Sequence, residues 1–259
     1  MDRTRPAVRA DPSAEEEVTP EADGRVRLRT RWDDCDRFGH VNNAAYLALI
    51  REATDRVMPR PTLELARIEI EFRRPLLPNA DVEIAVEADA ERDGMLAARY
   101  RVDHDGRTHA SATAEWRVDP GVAAPSLPAL ERDLGGRPFA WSQAVRSFEL
   151  GPDGALRPAA VLQWFEYAVY RAAQLVGWTP SRMREADFVT LQIGHFLAIV
   201  SRIVEMRRVS GTWHHEARRS DGTVVAADRS RGAFLDNAGN VRRPPEEMIA
   251  ALLGGEPGR

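Results

Sequence analysis

Lysine is missing from this sequence, and its 36 basic residues are all arginines. Together with 40 acidic residues they give a formal net charge of −4, so no basic face of the kind that nucleic acid requires is predicted. Cysteine is nearly absent too. The single Cys35 excludes an internal disulfide, and so low a cysteine content is typical of a reducing compartment. We therefore expect a cytoplasmic protein with no nucleic-acid partner.

Long apolar stretches are also lacking. No run approaches the roughly 18 residues that a membrane-spanning helix needs, and the first residues have no apolar core of a signal peptide. No membrane partner is expected. His214 and His215 are adjacent on a predicted strand and point to opposite faces. Because the sequence has no metal-ligand spacing of His and Cys, we predict no metal and no other cofactor.

The most polar part of the sequence lies between Arg31 and Tyr46 and reads RWDDCDRFGHVNNAAY. Its carboxylates, imidazole, carboxamides and phenol belong to Asp34, Asp36, His40, Asn42, Asn43 and Tyr46. Clustered titratable groups are typical of functional sites. Either aspartate alone is as well explained as a turn residue or a helix N-cap. The cluster as a whole favours a site.

The pattern around this segment predicts an α+β fold. A strand over 26–29 leads into the cluster, and apolar residues three and four positions apart predict a helix over 45–57. Alternating patterns separated by turn residues predict antiparallel strands over 67–72, 82–86, 95–102 and 108–118. One helix packed against an antiparallel sheet is an α+β layer architecture.

The second half of the chain repeats this order. The predicted elements are a strand over 141–150, a turn over 151–154, a helix over 161–176 ended by Gly177, and strands over 189–206, 213–219 and 224–234. The two helix sequences superpose at an offset of 115 residues, with Val161 on Tyr46. An offset of this size indicates a domain duplication.

The duplication is unequal. At the same offset Asp36 falls on Gly151, and His40 falls on Ala155. Asn42 and Asn43 likewise fall on Arg157 and Pro158. The second copy therefore keeps the predicted shape and loses the polar cluster. We predict a disordered tail (1–24), a catalytic-type domain (25–119), a linker (120–138) and a motif-degenerate second domain (139–250).

The segment from Trp32 to Gly39 resembles the signature of hotdog-fold thioesterases of the 4-hydroxybenzoyl-CoA thioesterase type: an aromatic residue, Asp-x-Asp, two residues and Gly. The continuation from His40 to Tyr46 is similar to acyl-acyl-carrier-protein (acyl-ACP) thioesterases, which are tandem hotdogs. Residues 145–177 are similar to the non-catalytic hotdog of those enzymes. The resemblance implies a double hotdog, each half a long central helix wrapped by an antiparallel sheet. The catalytic-type half would come first, opposite to the order in the plant enzymes.

The resemblance also implies roles. The second aspartate of Asp-x-Asp is the catalytic carboxylate of the family, which corresponds to Asp36, as nucleophile or general base. Phe38 departs from the plant acyl-ACP enzymes, which have a water-positioning asparagine there; Asn42 or Asn43 is the alternative. Thioester hydrolysis also needs donors for the developing oxyanion. We expect backbone N–H groups over 39–43 to supply them, with Gly39 permitting close approach.

The remaining candidates have competing interpretations. His40 is predicted to orient Asp36 or contact the thioester, or only to bond to the backbone, and Asn43 is the other catalytic candidate. The predicted substrate-binding residues are Asp34, Gly39, Val41, Asn42, Tyr46, Glu52 and Arg74. For Arg74 the implied role is to hold the pantetheine phosphate, and a solvated surface charge is the alternative. Cys35 lies between two acids, which would raise its pKa, so no thiolate nucleophile is expected.

The sequence thus predicts a thioesterase that cleaves acyl-CoA or acyl-ACP to the free acid and the thiol. A homodimer of double hotdogs is a possible assembly. The alternative from another class is a non-catalytic acyl-thioester binding or regulatory protein, since hotdogs also serve as ligand sensors. A dehydratase-type hotdog is less favoured, because that chemistry usually pairs its histidine and carboxylate in a different sequence setting.

Overall fold

The computed structural model describes residues 24–36, 39–60, 63–119, 121–123, 134–140, 144–151, 156–195, 197–198, 202–218 and 224–254. Residues 1–23 of the predicted tail, most of the predicted linker, residues 152–154 of the predicted turn and Phe38 lie outside the described residues. Within the described part, ten strands form one sheet.

The described part of the first half contains one α-helix and five strands. They are β1 (Arg25–Arg29), α1 (Asn43–Val57), β2 (Glu64–Phe72), β3 (Asp81–Ala88), β4 (Met95–His104) and β5 (Arg107–Arg117). All strand pairs are antiparallel. Asp93 and Asp105 adopt positive φ, each followed by a glycine that does the same, as tight hairpin turns require. The predicted helix and antiparallel strands are therefore confirmed. Only β3, β4 and β5 pair in chain order, since β2 pairs with β5 and β1 takes the place beside β3.

The described part of the second half contains three α-helices and five strands. They are α2 (Pro158–Leu175), α3 (Pro180–Glu185), β6 (Val189–His195), β7 (Leu197–Ala198), β8 (Arg202–Met206), β9 (Ser210–Arg218), β10 (Val224–Leu235) and α4 (Glu246–Leu252). The strands are ordered β1-β3-β4-β5-β2-β6-β10-β9-β8 in the sheet, and β7 pairs with β10. The short helices α3 and α4 were not predicted. Helix α2 ends at Gly177 as predicted, with φ of +83° and Trp178 N donating to Ala173 O at 2.9 Å.

The strand predicted over 141–150 is wrong for the residues that the structure describes. Ser147–Glu149 form a 3-10 helix, and Leu150 makes an isolated bridge to Leu156. The backbone N–H of Arg146 donates to Glu149 Oε2 at 2.6 Å, which closes the helical turn. An alternation of apolar and polar residues over so short a stretch does not distinguish a strand from a 3-10 turn.

The duplication extends to individual backbone hydrogen bonds. The 3-10 helix Ser147–Glu149 corresponds to Trp32–Asp34, and the bridge Leu150–Leu156 corresponds to Cys35–Val41, at the same offset of 115. In both copies the residue before the long helix donates its N–H to the last residue of the 3-10 helix: Asn42 to Asp34 at 2.7 Å, and Arg157 to Glu149 at 2.9 Å. The two halves therefore share the entry to the helix in atomic detail.

The halves are joined by a sheet and by a helix pair. Strands β2 and β6 pair at Ile70–His195 and Glu71–Gly194, and α1 packs against α2. Val161, Leu162 and Phe165 of α2 are buried in the hydrophobic cluster of the first half. A second cluster under the C-terminal part of α2 includes Trp213, Phe188 and Phe234. None of the described helices is long and apolar enough to cross a bilayer.

Candidate active site

The loop Asp36–His40 lies between the first 3-10 helix and α1. Its ends are tied by the N–H of Asp36, which donates to His40 O at 2.7 Å, and the bridge Cys35–Val41 continues the closure. Gly39 has φ of +78°, which a side chain would oppose. The backbone N–H of His40 donates to Asp36 Oδ1 at 3.2 Å. Asp36 and His40 are thereby held together, and both are half-buried.

Asp34 has a structural role in this arrangement. Its Oδ2 accepts from the backbone N–H of Arg31 at 2.6 Å, and its carbonyl accepts from Asn42 N. Arg31 directly precedes the 3-10 helix Trp32–Asp34, so the carboxylate of Asp34 satisfies a backbone N–H group at the start of that helix. The first carboxylate of Asp-x-Asp therefore holds the backbone, and its predicted contact with substrate stays a prediction.

Asn42 and Asn43 occupy different positions at the start of α1, and the sequence left open which of them caps the helix. Asn42 is the N-cap of α1, since its side-chain oxygen accepts from Ala44 N at 2.8 Å. Asn43 is the first residue of the helix and is half-buried. Because the cap occupies the carbonyl oxygen of Asn42, Asn43 is the better placed of the pair for a catalytic or water-positioning role.

A segment after β2 fixes the start of α1 from a second side. Val41 N donates to Leu76 O at 2.9 Å, and Tyr46 Oη donates to Arg74 O at 3.4 Å. Val41, Tyr46 and Leu76 are all buried. Burial raises the pKa of Tyr46 well above its usual range, so its hydroxyl stays protonated and donates. Both Val41 and Tyr46 are closed to solvent here, and their contact with substrate stays a prediction.

The backbone N–H groups expected to form the oxyanion site are mostly engaged within the protein. Gly39 N donates to Asp36 O at 3.1 Å, and Asn42 N donates to Asp34 O. The N–H groups of His40 and Val41 have the partners given above. In this conformation these four amides are paired, so a developing oxyanion would need side-chain donors or a local rearrangement of the loop.

The same loop geometry occurs in a second loop of the described residues, directly after β10. Asp236 N donates to Asn240 O at 2.8 Å, and Asn240 N donates to Asp236 Oδ1 at 2.7 Å. Gly239 has φ of +86°, and the bridge Leu235–Val241 closes the loop. An Asp-x-x-Gly loop capped by its own aspartate is therefore a structural device in this chain. Loop capping therefore explains the hydrogen bond that Asp36 Oδ1 accepts from His40 N. Asp236 is a control position for testing whether Asp36 has a chemical role as well.

Cys35 is not an activated thiol. Its removal from solvent and the neighbouring carboxylates of Asp34 and Asp36 raise the pKa of the Cys35 thiol. The expected direction of this shift is confirmed. A thiol with a raised pKa is protonated near neutral pH and is a poor nucleophile.

A cleft of about 1120 Å³ runs along α1 beside β1 and β3. Of the predicted site residues, Asp34 and Glu52 line it. Its apolar floor consists of Leu28, Ala45, Ala48, Leu49 and Val82. Asp36 is not among the lining residues, although it is two positions from Asp34. The structure therefore brings the catalytic candidates to one end of α1 and places the cleft along the side of that helix.

The charged side chains of Glu52 and Arg74 have partners outside the loop. Glu52 is exposed and pairs with Arg56 one turn further along α1, as a solvated charge would. The guanidinium of Arg74 donates to Thr108 O at 3.0 Å and does not line the cleft. Its predicted role at the pantetheine phosphate is untested.

Sequence reasoning missed two arginines of this cleft. Arg31 precedes the first 3-10 helix, and Arg157 is the N-cap position of α2, with no side-chain capping bond. The signal for Arg157 was present, since it aligns with Asn42 at the offset of 115. We interpreted that replacement only as the loss of a polar group, whereas the structure shows a cation in the cleft of the first half.

Comparisons with known proteins bear on the first half of the chain. Residues 18–118 match the family model of the acyl-ACP thioesterase C-terminal domain, less than half of the chain. The predicted resemblance to hotdog-fold thioesterases is confirmed. The match contains the whole segment from Arg31 to Tyr46, and it supports a thioesterase function. No curated protein matches the sequence.

Solved structures extend the likeness to both halves. A protein from Lactobacillus plantarum, described as an oleoyl thioesterase, matches over 82% of this chain and 96% of its own, with 14% identity and a TM-score of 0.58. An acyl-ACP thioesterase from Bacteroides thetaiotaomicron VPI-5482 matches over 81% and 96%, with 10% identity and a TM-score of 0.56. At these identities the likeness shows the fold. The predicted α+β hotdog fold is thereby confirmed.

Proposed function

We propose that the protein hydrolyses acyl thioesters of coenzyme A or acyl carrier protein to the free acid and the thiol. The observation that carries the proposal is the match of residues 18–118 to the acyl-ACP thioesterase domain, together with the placement of Asp36, His40 and Asn43 around one closed loop. A cytoplasmic location and a homodimer of double hotdogs go with this proposal as further predictions.

In the general-base form of the reaction, the Asp36 carboxylate takes a proton from water as the water oxygen attacks the thioester carbonyl carbon. The tetrahedral oxyanion collapses, the C–S bond breaks, and the departing thiolate is protonated. In the nucleophilic form, the Asp36 carboxylate attacks the carbonyl carbon and the C–S bond breaks with departure of the thiolate, which is protonated by solvent. Water then hydrolyses the acyl-enzyme anhydride to the free acid and the Asp36 carboxylate. His40 and Asn43 are the side chains proposed to orient the carboxylate and to stabilise the oxyanion.

The test is hydrolysis of a panel of acyl-CoA and acyl-ACP thioesters by the purified protein, measured by thiol release, with Asp36→Asn beside the wild type. We expect the substitution to lower kcat by about 100-fold or more, the usual effect of removing a general base. Asp236→Asn is the matched control, because Asp236 caps the same loop geometry in the second half of the chain and is not a candidate site residue. Full activity of Asp36→Asn across the panel would refute the assignment.

One observation favours a second candidate, an acyl-thioester binding protein without hydrolase activity. The capping bond to His40 N gives Asp36 a structural role, and Asp236 shows that this chain uses such a loop elsewhere. Native mass spectrometry separates the two functions. Retention of intact acyl-CoA over hours, without release of acid, is the result that would favour the binding protein.

A further inference from the structure

An irregular segment after β2, residues 74–77, accepts four hydrogen bonds through four consecutive carbonyl groups. The donors, in the order of the acceptors, are Tyr46 Oη at 3.4 Å, His109 Nδ1 at 3.1 Å, Val41 N at 2.9 Å and Thr30 Oγ1 at 2.8 Å. Residues 74–77 belong to no helix or strand. Their position is therefore set by these contacts with α1, with β5 and with the chain between β1 and α1.

His109 supplies the contact from β5, and its side chain is nearly buried, with 9% exposure. Because a carbonyl oxygen only accepts, the contact with Pro75 O requires the proton to be on Nδ1. The backbone of His109 binds the same segment, since its carbonyl accepts from Arg73 N at 2.9 Å and from Arg74 N at 3.2 Å. One residue of β5 thus makes three hydrogen bonds to residues 73–75.

His109 lies at a β-bulge. Val102 pairs with Ala110 and Asp103 pairs with Thr108, so His109 is the extra residue of β5 opposite β4. A bulge interrupts the ladder at its extra residue and redirects the side chain there. The bulge therefore explains how one strand residue can turn both its carbonyl and its imidazole towards the segment after β2.

The same bulge recurs in the second half of the chain. β10 shifts register against β9 between Val224 and Ala226, which makes Val225 the extra residue. The β9 residues opposite this bulge are the counterparts, at the offset of 115, of the β4 residues opposite the bulge in β5. A valine side chain has no hydrogen-bond donor. The bulge thus belongs to the duplicated scaffold, whereas the imidazole at this position belongs to the half that contains Asp36.

The carbonyls on either side of Pro75 hold the start of α1. Leu76 O accepts from Val41 N, and Val41 also forms the bridge that closes the candidate catalytic loop. Arg74 O accepts from Tyr46 Oη in the first turn of the helix. Because neighbouring carbonyls of one segment move together, displacement of Pro75 O would also displace the acceptors of Val41 and Tyr46.

We propose that His109 is a positioning residue for the candidate catalytic loop. Its imidazole donates to Pro75 O and keeps residues 74–77 where they hold the loop of Asp36 and His40 at the start of α1. In this role His109 acts through the segment and does not touch the substrate. The predicted effect on catalysis rests on the proposed function, whereas the predicted effect on Val41 does not.

Four substitutions of His109 test the hydrogen bond. His109→Leu and His109→Phe remove the donor, and the second of them keeps a planar ring. We expect both to lower kcat for acyl-CoA about tenfold and to keep KM within about twofold, because small displacements of a catalytic group slow the chemical step. His109→Asn returns a donor near the position of Nδ1 and should recover kcat to within about threefold of the wild type. His109→Gln places its donor near the position of Nε2 and should not recover it.

His104→Leu is the matched control. His104 Nδ1 lies 2.8 Å from Asp81 O, a carbonyl outside residues 74–77, and its ring lies 5.7 Å from that of His109. This substitution therefore removes the same kind of contact beside the bulge, and it should keep kcat and KM within about twofold of the wild type. An unchanged kcat in His109→Leu and His109→Phe, or an equal loss in His104→Leu, would overturn the proposal.

Amide hydrogen exchange distinguishes failure of this inference from failure of the proposed function. Exchange of the Val41 N–H, followed by NMR, should be about tenfold faster in His109→Leu and restored in His109→Asn, while amides of β9 and β10 keep their rates. If the wild type hydrolyses no thioester, this measurement still decides. Unchanged exchange at Val41 rejects the positioning role. Hydrolysis by the wild type together with that result rejects the role and keeps the thioesterase.

Discussion

Around α1, individual polar side chains serve mainly to hold the backbone. Asp34 accepts from Arg31, Asn42 caps the helix, and Asp36 accepts from His40. These bonds define where each functional group can point. A catalytic carboxylate that also caps its own loop has a fixed position relative to α1, which is the kind of preorganisation that catalysis requires. Substitutions of single residues around α1 can separate this structural role from a catalytic one.

Cys35 provides a test of whether the site uses a thiol nucleophile. Its pKa is raised by loss of solvent and by two carboxylates, so the thiol is protonated at neutral pH. We expect Cys35→Ala to keep thioesterase activity within about twofold, a change of less than half a kcal/mol. Iodoacetamide labelling should be slow at pH 7 and rise only beyond the usual thiol range near pH 8.5. Because the chain has one cysteine, labelling followed by intact mass reports this residue alone, and fast labelling at pH 7 would contradict the raised pKa.

Asn42 and Asn43 should separate stability from activity. Asn42→Ala removes the N-cap of α1 and is expected to lower the free energy of unfolding by about 1 kcal/mol, measured by urea denaturation. Asn42→Asp, which can still accept from Ala44 N, should retain most of that stability. Asn43→Ala should instead lower kcat with a smaller effect on stability. The division of roles would be wrong if Asn43→Ala cost as much stability as Asn42→Ala and left kcat intact.

At the scale of elements, the sequence is sufficient to predict those whose pattern is long and regular. Helices α1 and α2 and strands β2 to β5 follow from apolar spacing, and the hairpins β3–β4 and β4–β5 follow from Asp-Gly turns. The pairing of β2 with β5 does not follow from either signal. The strand at 141–150 fails because a 3-10 turn closed by Glu149 has no pattern that distinguishes it locally. The sequence also does not predict that the backbone N–H groups of residues 39–42 are hydrogen-bonded within the protein. One of the acceptors, Leu76 O, lies 35 positions after its donor Val41. Such long-range pairings are set by the fold.

One hydrogen-bond network ties α1 to the sheet beneath it. Thr54 and Tyr100 hydroxyls lie 2.9 Å apart, and Trp116 Nε1 donates to Tyr100 Oη at 2.8 Å. All three residues are buried. Tyr100→Phe would leave the indole N–H without its acceptor, so we expect a loss of about 1 to 3 kcal/mol in unfolding free energy. Measurement is by urea denaturation, with the exposed Arg99→Gln expected to change stability by no more than about 1 kcal/mol. Equal effects of the two would mean that the network contributes little.

At the scale of the whole molecule, the two halves form one structure. They share a sheet through a short β2–β6 pairing, and α2 contributes side chains to both hydrophobic clusters. The degenerate half therefore completes the core of the half that holds the candidate catalytic loop, and through Arg157 it also lines the cleft. The second half lacks the polar cluster, and its described role is in packing against the first half.

Leu162 provides a test of whether the two halves unfold together. It belongs to α2 by sequence, yet it is fully buried in the cluster formed by α1 and β2 to β5. Leu162→Ala should lower the free energy of unfolding by about 2 to 5 kcal/mol, through lost burial and the cavity left behind. Since the cavity opens between the halves, amide hydrogen exchange should increase in β4–β5 and in β9–β10 together. Leu175→Ala, at an exposed position of the same helix, should change stability by no more than about 0.5 kcal/mol. Faster exchange confined to β9–β10 would show that the halves unfold independently.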